Sequence, residues 1–254
     1  MTIHVLLASG AAAIVHPARC GALAVALALT GIPLAAQSLS TIRSGELLRM
    51  DSLALAQLLD ENRPAPVPAA MRARVLAGLP KKGDVQVLDD GARRKLAALA
   101  PILETARRAS VYAVKVIDVP HAFVGLHARS VLLISRPALG LMSEDELRAV
   151  VAHETAHEYV HAEYERATAE GRSGRLQDLE LICDIIAVLT LRAIGQDAWS
   201  LVAGIEKLLR FNHFHFGSEI DNPEYPSPLL RRSVVLALEK RISRVAGQSS
   251  KEDR

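Results

Sequence analysis

The feature that most constrains the fold of this chain is a helix with ionisable residues on its buried face. Ser143 to Glu146 forms a capping box that starts the helix, and the sequence continues LRAVVAHETAHEYVHAEYE from Leu147. On a helical wheel, Glu154 and His157 continue the apolar stripe that Leu147 begins. Since a buried charge is costly unless it is paired or bound to a metal, this face must meet a suitable partner.

The spacing of the histidines indicates what that partner is. His153 and His157 are four residues apart, so both imidazoles point to one side of the helix and suit one zinc ion, with Glu154 beside it in an HExxH pattern. This five-residue pattern is weak when it stands alone. A second HExxH overlaps it, running from His157 through Glu158 to His161, and helical geometry does not choose between the two registers.

A second apolar helix narrows the choice of function. Residues 176–191 read LQDLELICDIIAVLTL, which is apolar almost all round, yet Glu180 and Asp184 lie on one side of it. One interpretation is a pair of partly exposed acids with local hydrogen bonds. The other makes Glu180 the third zinc ligand and lets Asp184 hold a ligand imidazole through its other ring nitrogen. Two histidines, one glutamate and an open fourth position make a catalytic rather than a structural zinc site.

Composition indicates a folded core and argues against several other classes of protein. Half of the 254 residues are hydrophobic and only 4% are aromatic, so the core is aliphatic and most of the chain is ordered. The net charge of +2 provides no basic surface for nucleic acid. Two cysteines, Cys20 and Cys183, exclude a disulfide scaffold and a cysteine-based zinc ribbon, and Cys183 is expected to be a small buried core residue.

The first 36 residues are expected to be a targeting segment. Residues 22–34 form an apolar run that follows Arg19 and precedes the small residues Ala35 and Ala36. This layout is typical of a signal peptide, and the alternatives are an uncleaved membrane anchor and a buried helix of the fold. We therefore expect an exported protein, periplasmic or extracellular, with any membrane association made through this segment.

The rest of the chain predicts an α+β fold that is mainly α. An N-terminal helical segment with a proline-rich linker, 37–80, precedes a main domain over 81–247 and a frayed tail over 248–254. The phenylalanine-rich residues 211–216 are expected to be a hydrophobic anchor for a loop, and the alternative is a substrate subsite. Helices are predicted over 45–62, 71–79, from Asp90 to 108, and over 144–170, 176–194, 198–211 and 229–245, with a buried strand over 111–119 and a hairpin of strands over 123–126 and 131–135.

These motifs together resemble a known group of enzymes. HExxH followed by ExxxD on a later helix resembles the gluzincin metallopeptidases, and residues 84–246 are similar to the family of the type-I CAAX prenyl endopeptidase and the HtpX and BepA proteases. The lead-in SEDELRAVVAHETAH resembles that of the family and favours the His153/His157 register. The family's strand motif Pro-Asn-Ala-Phe is similar to residues 120–123, where His121 replaces the asparagine.

A last motif of the resemblance lies near the C-terminus. The family's His-Pro-x-x-x-x-Arg pattern is similar to the residues from Tyr225 to Arg231, where Tyr225 replaces the histidine. The resemblance implies that Tyr225 or Arg231 stabilises the oxyanion. It also implies a zincin-type metallopeptidase fold, in which a small sheet packs on the HExxH helix.

We therefore expect a zinc endopeptidase with one Zn²⁺ per chain, held by His153, His157 and Glu180. Glu154 would be the general base that takes a proton from the attacking water. The substrate would be a polypeptide, extended along the edge strand near Phe123. The alternative is a catalytically silent metallopeptidase fold that serves as a binding or chaperone-like module.

Overall fold

The computed structural model describes residues 39, 41–80, 83, 85, 87–105, 111–218 and 222–252. Over these residues the chain forms ten helices and three strands, which confirms the α+β, mainly α fold. The helices are α1 (Ser44–Leu47), α2 (Ser52–Glu61), α3 (Ala69–Gly78), α4 (Asp90–Ala97), α5 (Ala100–Thr105), α6 (Arg136–Leu141), α7 (Glu144–Ala169), α8 (Ser173–Ala193), α9 (Trp199–Phe216) and α10 (Pro228–Glu252), and the strands are β1 (Ala113–Ile117), β2 (Val124–His127) and β3 (Val131–Ser135).

The predicted targeting segment cannot be compared with this fold. The apolar run at 22–34 and Cys20 lie outside the described residues, so export and membrane association stay predictions. In the part of the chain that is described, no helix combines the length and the apolar character needed to cross a membrane.

The sheet has the strand order β1-β3-β2, and its central strand β3 is buried along its whole length. β1 pairs with β3 in parallel, and β2 pairs with β3 antiparallel, as the hairpin prediction requires. The chain reverses through Ala128 and Arg129, whose φ angles of 46° and 56° are both positive as in a type I′ turn, and the Ser130 N–H donates to His127 O. β2 is thereby left as an edge strand, with one row of backbone groups facing away from β3.

Helix α7 packs against α8, α9 and β2 and positions the residues of interest. Its start is fixed by the predicted capping box, in which Ser143 Oγ accepts from the Glu146 N–H while the Glu146 carboxylate accepts from the Ser143 N–H. α9 crosses α7 closely at Gly204, where an added Cβ would lie 2.8 Å from Val150 Cγ2 and 3.2 Å from Glu146 O. This crossing leaves no room for a larger side chain.

The N-terminal helical segment shares its core with the helices that follow. Buried apolar residues of this segment belong to the same hydrophobic cluster as α7 and α8: Leu39, Ile42, Leu47, Leu55 and Leu58. Ser44 ties α1 to α8, because its backbone N–H and its hydroxyl both donate to Asp178, at 3.0 and 2.6 Å. The predicted boundary at 81–84 stays a prediction, since residues 81, 82 and 84 lie outside the described residues.

Two local differences from the predicted helices arise from capping side chains. The helix predicted over 45–62 is two helices, because the Asp51 side chain accepts a hydrogen bond from Ala54 N and starts α2 at that point. Helix α6 is not predicted from the sequence. It starts because the Ser135 side chain accepts from Ala138 N, with a proline in the first turn, where no N–H is needed.

The helix expected from Asp90 to residue 108 also differs. The sequence also allows Asp90 as the N-cap of this helix, but the N-cap is the preceding residue, Asp89, whose side chain accepts from Ala92 N. The helix is interrupted after Ala97 and resumes as α5, with Pro101 in its first turn. Residues 106–110 lie outside the described part of the chain.

The last two helices are longer than predicted. α9 continues through Phe216, so residues 211–216 form its last turns, and Phe216 stacks on His121 in the loop before β2. Gly217, with a φ of 63°, ends the helix in the left-handed conformation that glycine adopts readily. α10 continues to Glu252, so it includes most of the predicted tail.

Candidate metal centre

Two turns of α7 bring three potential ligands together. His153 is buried, and His157 and Glu154 are partly buried beside it. One ligating atom from each of the three side chains lies within 4.8 Å of the other two. The two rings meet edge to face, with centroids 5.0 Å apart, as the four-residue spacing predicts.

Glu180 of α8 faces both imidazoles. Its Oε2 lies 3.2 Å from His153 Nε2 and its Oε1 lies 3.6 Å from His157 Nε2. Ligands at 2.0–2.2 Å around a tetrahedral zinc are separated by about 3.3–3.6 Å, so each imidazole lies at about ligand spacing from one oxygen of Glu180. Glu180 and Asp184 are only 2% and 0% exposed, which excludes the interpretation of two partly exposed acids.

Asp184 and Arg231 form hydrogen bonds that hold His153 and Glu180 in place. Asp184 Oδ1 lies 2.9 Å from His153 Nδ1, so the ring is held through the nitrogen that does not face Glu180. The buried guanidinium of Arg231 donates to Asp184 Oδ1 and, at 3.2 Å, to Glu180 Oε2. Arg231 thus contacts the two carboxylates and orients them, and the oxyanion contact expected of it from the sequence stays a prediction.

The charges of the cluster favour a cation between the imidazoles. Burial by itself lowers the pKa of His153, but its hydrogen bonds to Asp184 and Glu180 raise that pKa to about 10. Burial would raise the pKa of Glu180, yet His157, His153 and Arg231 hold it well below its usual range. The carboxylates therefore retain a proton on an imidazole, and a divalent metal would supply positive charge in its place while both imidazoles bind as neutral ligands.

Glu154 lies beside the imidazoles and also contacts the sheet. Its Oε2 accepts a hydrogen bond from the Leu126 N–H of β2 at 3.2 Å. Burial raises the pKa of Glu154 to about 7, and the charge of His153 offsets only part of that rise. A carboxyl with a pKa near neutrality can take up and return a proton, which is what a general base must do.

Two tyrosines line the same site. The Tyr164 hydroxyl donates to Glu180 Oε1 at 3.3 Å, its ring packs edge-on against His157 with centroids 5.1 Å apart, and it is hydrogen-bonded to the Tyr225 phenol. Burial and the nearby charge of Glu180 raise the pKa of both phenols, so both stay protonated as hydrogen-bond donors. Tyr225 is predicted from the sequence and Tyr164 is not, although Tyr164 lies seven residues after His157 and so on the same face of α7.

The remaining residues of the overlapping HExxH motif, Glu158 and His161, contact other parts of the molecule. Glu158 is buried, where the Tyr112 hydroxyl donates to its Oε1 and Arg129 lies 3.3 Å from its Oε2. His161 lines a separate surface groove of about 340 Å³ together with Pro64 and Arg129. The geometry therefore favours the His153/Glu154/His157 register.

Cys183 has the structural role expected of it. It lies on α8 between Glu180 and Asp184 and is completely buried. Burial raises the pKa of its thiol well above the usual range, and the negative charge of Glu180 adds to the rise. The thiol is therefore neutral and packs as a small core residue.

The chain was also compared with known proteins. Residues 91–189 match the family model described as Peptidase family M48, a segment of less than half of the chain that includes all of α7 and the Glu180–Asp184 pair. The match stops before Tyr225 and Arg231. No curated protein matches the chain. The match supports a metal-dependent peptidase, and the mainly helical fold with a three-stranded mixed sheet is consistent with a zincin-like peptidase.

Proposed function

We propose that this chain is a zinc-dependent endopeptidase of family M48 that hydrolyses peptide bonds in polypeptides. The observation that carries the proposal is the position of Glu180, whose two oxygens lie 3.2 and 3.6 Å from the Nε2 atoms of His153 and His157. The family match over 91–189 supports it independently, because that match covers all three proposed ligands.

His153, His157 and Glu180 would hold one Zn²⁺, since two imidazoles and one carboxylate are the protein ligands of many catalytic zinc sites. Bound zinc supplies Lewis-acid polarisation of a carbonyl and lowers the pKa of water to about 7. Asp184 keeps the proton of His153 on Nδ1, so that Nε2 is presented with its lone pair.

Glu154 performs the proton transfers. Its carboxylate takes the proton of the attacking water and later gives it to the leaving amine. The Leu126 N–H holds Oε2 at 3.2 Å, which orients the carboxylate toward the imidazoles before substrate arrives. Burial raises the pKa of Glu154 to about 7, which suits a group that must both accept and release a proton.

The substrate would add a strand to β2. β2 is an edge strand, and its residue Leu126 contacts the proposed base directly. A peptide that pairs with this edge is therefore delivered next to Glu154 in an extended form. Tyr225 would donate a hydrogen bond to the oxygen that becomes negative when water adds, while Arg231 orients Glu180 and Asp184.

The proposal is tested by elemental analysis of freshly purified protein that has not met a chelator, with wild type beside Glu180→Ala. We expect about one zinc per chain in wild type and a large loss in the variant, because removing one of three ligands opens the site. Wild-type protein without zinc would contradict the proposal. The loaded enzyme should also cleave an unfolded protein such as reduced casein, whereas zinc without cleavage would favour the catalytically silent binding module.

A further inference from the structure

The edge strand β2 has alternating inward and outward backbone positions. Ser135 N donates to Phe123 O at 3.0 Å, and Phe123 N donates to Ser135 Oγ at 2.9 Å, so the backbone of Phe123 faces β3. By the two-residue period of a strand, the backbone groups of Ala122, Val124 and Leu126 face the outer edge. The bond from Leu126 N to Glu154 agrees with that assignment.

The first of these outward positions is covered by the end of α9. Ala122 N donates to Asn212 Oδ1 at 2.9 Å, and Asn212 Nδ2 donates to Ala122 O at 2.8 Å. The side-chain amide thus offers the same acceptor and donor that a neighbouring peptide unit would offer. Ala122 is completely buried, so no second strand reaches its backbone while Asn212 is in place.

A second contact holds α9 across the same place. The rings of His121 and Phe216 are stacked, with centroids 3.9 Å apart and planes 23° from parallel. Phe216 is the last residue of α9, and the helix stops immediately after it at Gly217. Two neighbouring residues before β2 are therefore held by two residues of the last turns of α9.

We propose that Asn212 closes one end of the substrate edge, so that a peptide pairs with β2 only from Val124 onward. This inference rests on the proposed function, since it concerns the substrate of that site. Outward positions recur every two residues, about 6.6–6.8 Å apart. Val124 offers its N–H and its carbonyl, and Leu126 offers its carbonyl because its N–H donates to Glu154, so the edge accommodates a peptide stretch of about three residues. Substrate residues beyond Val124 leave the sheet and add nothing to binding, which makes Asn212 a determinant of substrate length on that side.

The test measures peptide affinity in zinc-loaded protein that carries Glu154→Gln, which is meant to retain substrate without turnover. Fluorescein-labelled casein fragments are first screened by fluorescence anisotropy for one that binds. That fragment is then lengthened one residue at a time at each end. The series is compared in Glu154→Gln, Glu154→Gln with Asn212→Ala, and Glu154→Gln with Phe214→Ala. Phe214 lies in the same last turns of α9 but is 83% exposed, so it is a matched control.

In Glu154→Gln without a second substitution, we expect the affinity to stop rising as the fragment is lengthened at one of its two ends. With Asn212→Ala it should rise further by roughly tenfold over the next two residues, as two added backbone hydrogen bonds would give. Phe214→Ala should leave the plateau unchanged. Asn212→Asp keeps the acceptor for Ala122 N and loses the donor to Ala122 O, so it should give a smaller gain and serves if the alanine variant does not fold.

Three outcomes would overturn the proposal that Asn212 closes the edge. The Asn212→Ala variant could show the same affinity plateau as Glu154→Gln alone, it could gain affinity equally at all fragment lengths, or no fragment could bind. The outcome for the proposed function is separate. Wild-type protein that binds the series with this length dependence but does not hydrolyse it would refute the peptidase activity and leave the role of Asn212 intact.

Discussion

His153 is held through both of its ring nitrogens, with Nδ1 on Asp184 at 2.9 Å and Nε2 on Glu180 at 3.2 Å. The ring therefore has its orientation before a metal arrives. The positive charges of His157, His153 and Arg231 hold the pKa of Glu180 well below its usual range in spite of its burial. At the scale of single residues, the site is a set of buried charges in which each group is oriented by another.

Glu154 is the residue whose replacement separates proton transfer from metal binding. Glu154→Gln keeps the size and hydrogen-bonding capacity of the side chain but removes the proton acceptor. We expect zinc content and fold to be retained and turnover to fall by roughly 10²- to 10⁴-fold, the usual contribution of a general base. Elemental analysis and peptide hydrolysis measure the two effects, and near-normal hydrolysis by the variant would refute the assignment.

The same residue sets the low-pH side of the activity profile. Burial raises the pKa of Glu154 to about 7, and a nearby metal cation lowers it from that value. Because the base acts in its ionised form, kcat/KM should fall as the pH drops through this pKa. Any residual activity of Glu154→Gln should lack that limb.

Tyr225 and Tyr164 make a matched pair for testing the oxyanion contact. Tyr225→Phe removes a donor that acts mainly in the transition state, a contact typically worth about 3 kcal/mol, so kcat should fall roughly a hundredfold while KM stays similar. Tyr164→Phe removes the hydrogen bond to Glu180 and should instead loosen zinc retention. Steady-state kinetics and competition with a chelator distinguish the two, and an unchanged kcat in Tyr225→Phe would leave the oxyanion to zinc.

At the scale of helices and strands, the parts of the fold that the sequence predicts well are those fixed by local chemistry. The start of α7 follows from Ser143 and Glu146, and the hairpin strands follow from the apolar runs on either side of residues 127–129. The interruption before α2 depends on one side chain, Asp51, in a stretch whose apolar spacing is continuous. The apolar periodicity does not show where the helix is interrupted, because the N-cap stabilises the new helix start by only about 1 kcal/mol.

The contact between α7 and α8 predicts which histidines bind zinc. Since Glu180 contacts His153 and His157, replacing either histidine by alanine should release zinc. His161→Ala should keep most of it, because His161 lines a different groove with Pro64 and Arg129. Zinc content of the three variants decides the register. Metal loss in His161→Ala together with retention in His153→Ala would assign the site to the overlapping motif instead.

At the scale of the whole molecule, the site joins parts of the chain that are distant in sequence. The proposed base contacts β2, the ligands come from α7 and α8, and Arg231 comes from α10. The ligand motif could be read from the sequence because its spacing is helical. The contacts of Tyr164 with Glu180 and of Asn212 with Ala122 could not, because they depend on how two elements pack and no local pattern records that.

The charge of the assembled cluster gives a last prediction, on the coupling of zinc binding to protons. In metal-free protein, hydrogen bonds to Asp184 and Glu180 outweigh burial and raise the pKa of His153 to about 10, above the value of 6.5 expected when the chain is unfolded. Protonated His153 therefore stabilises the metal-free fold fully below about pH 6.5, and this stabilisation is lost as the pH rises through about 10. Zinc needs the neutral imidazole, so its binding at pH 7.5 must release that proton.

Titration calorimetry at pH 7.5, in two buffers that differ in ionisation enthalpy, should show the release of at least one proton per zinc bound. Zinc affinity should then rise by about tenfold per pH unit between pH 7 and the pKa of His153. Asp184→Asn is the informative variant, because losing that carboxylate lowers the pKa of His153 and should reduce the number of protons released. His161→Ala should release as many as wild type. Nitrogen chemical shifts report whether the His153 ring is protonated in metal-free protein at pH 7.5. A neutral ring would contradict this account, because it would mean that Asp184 and Glu180 do not hold a proton in the place of the metal.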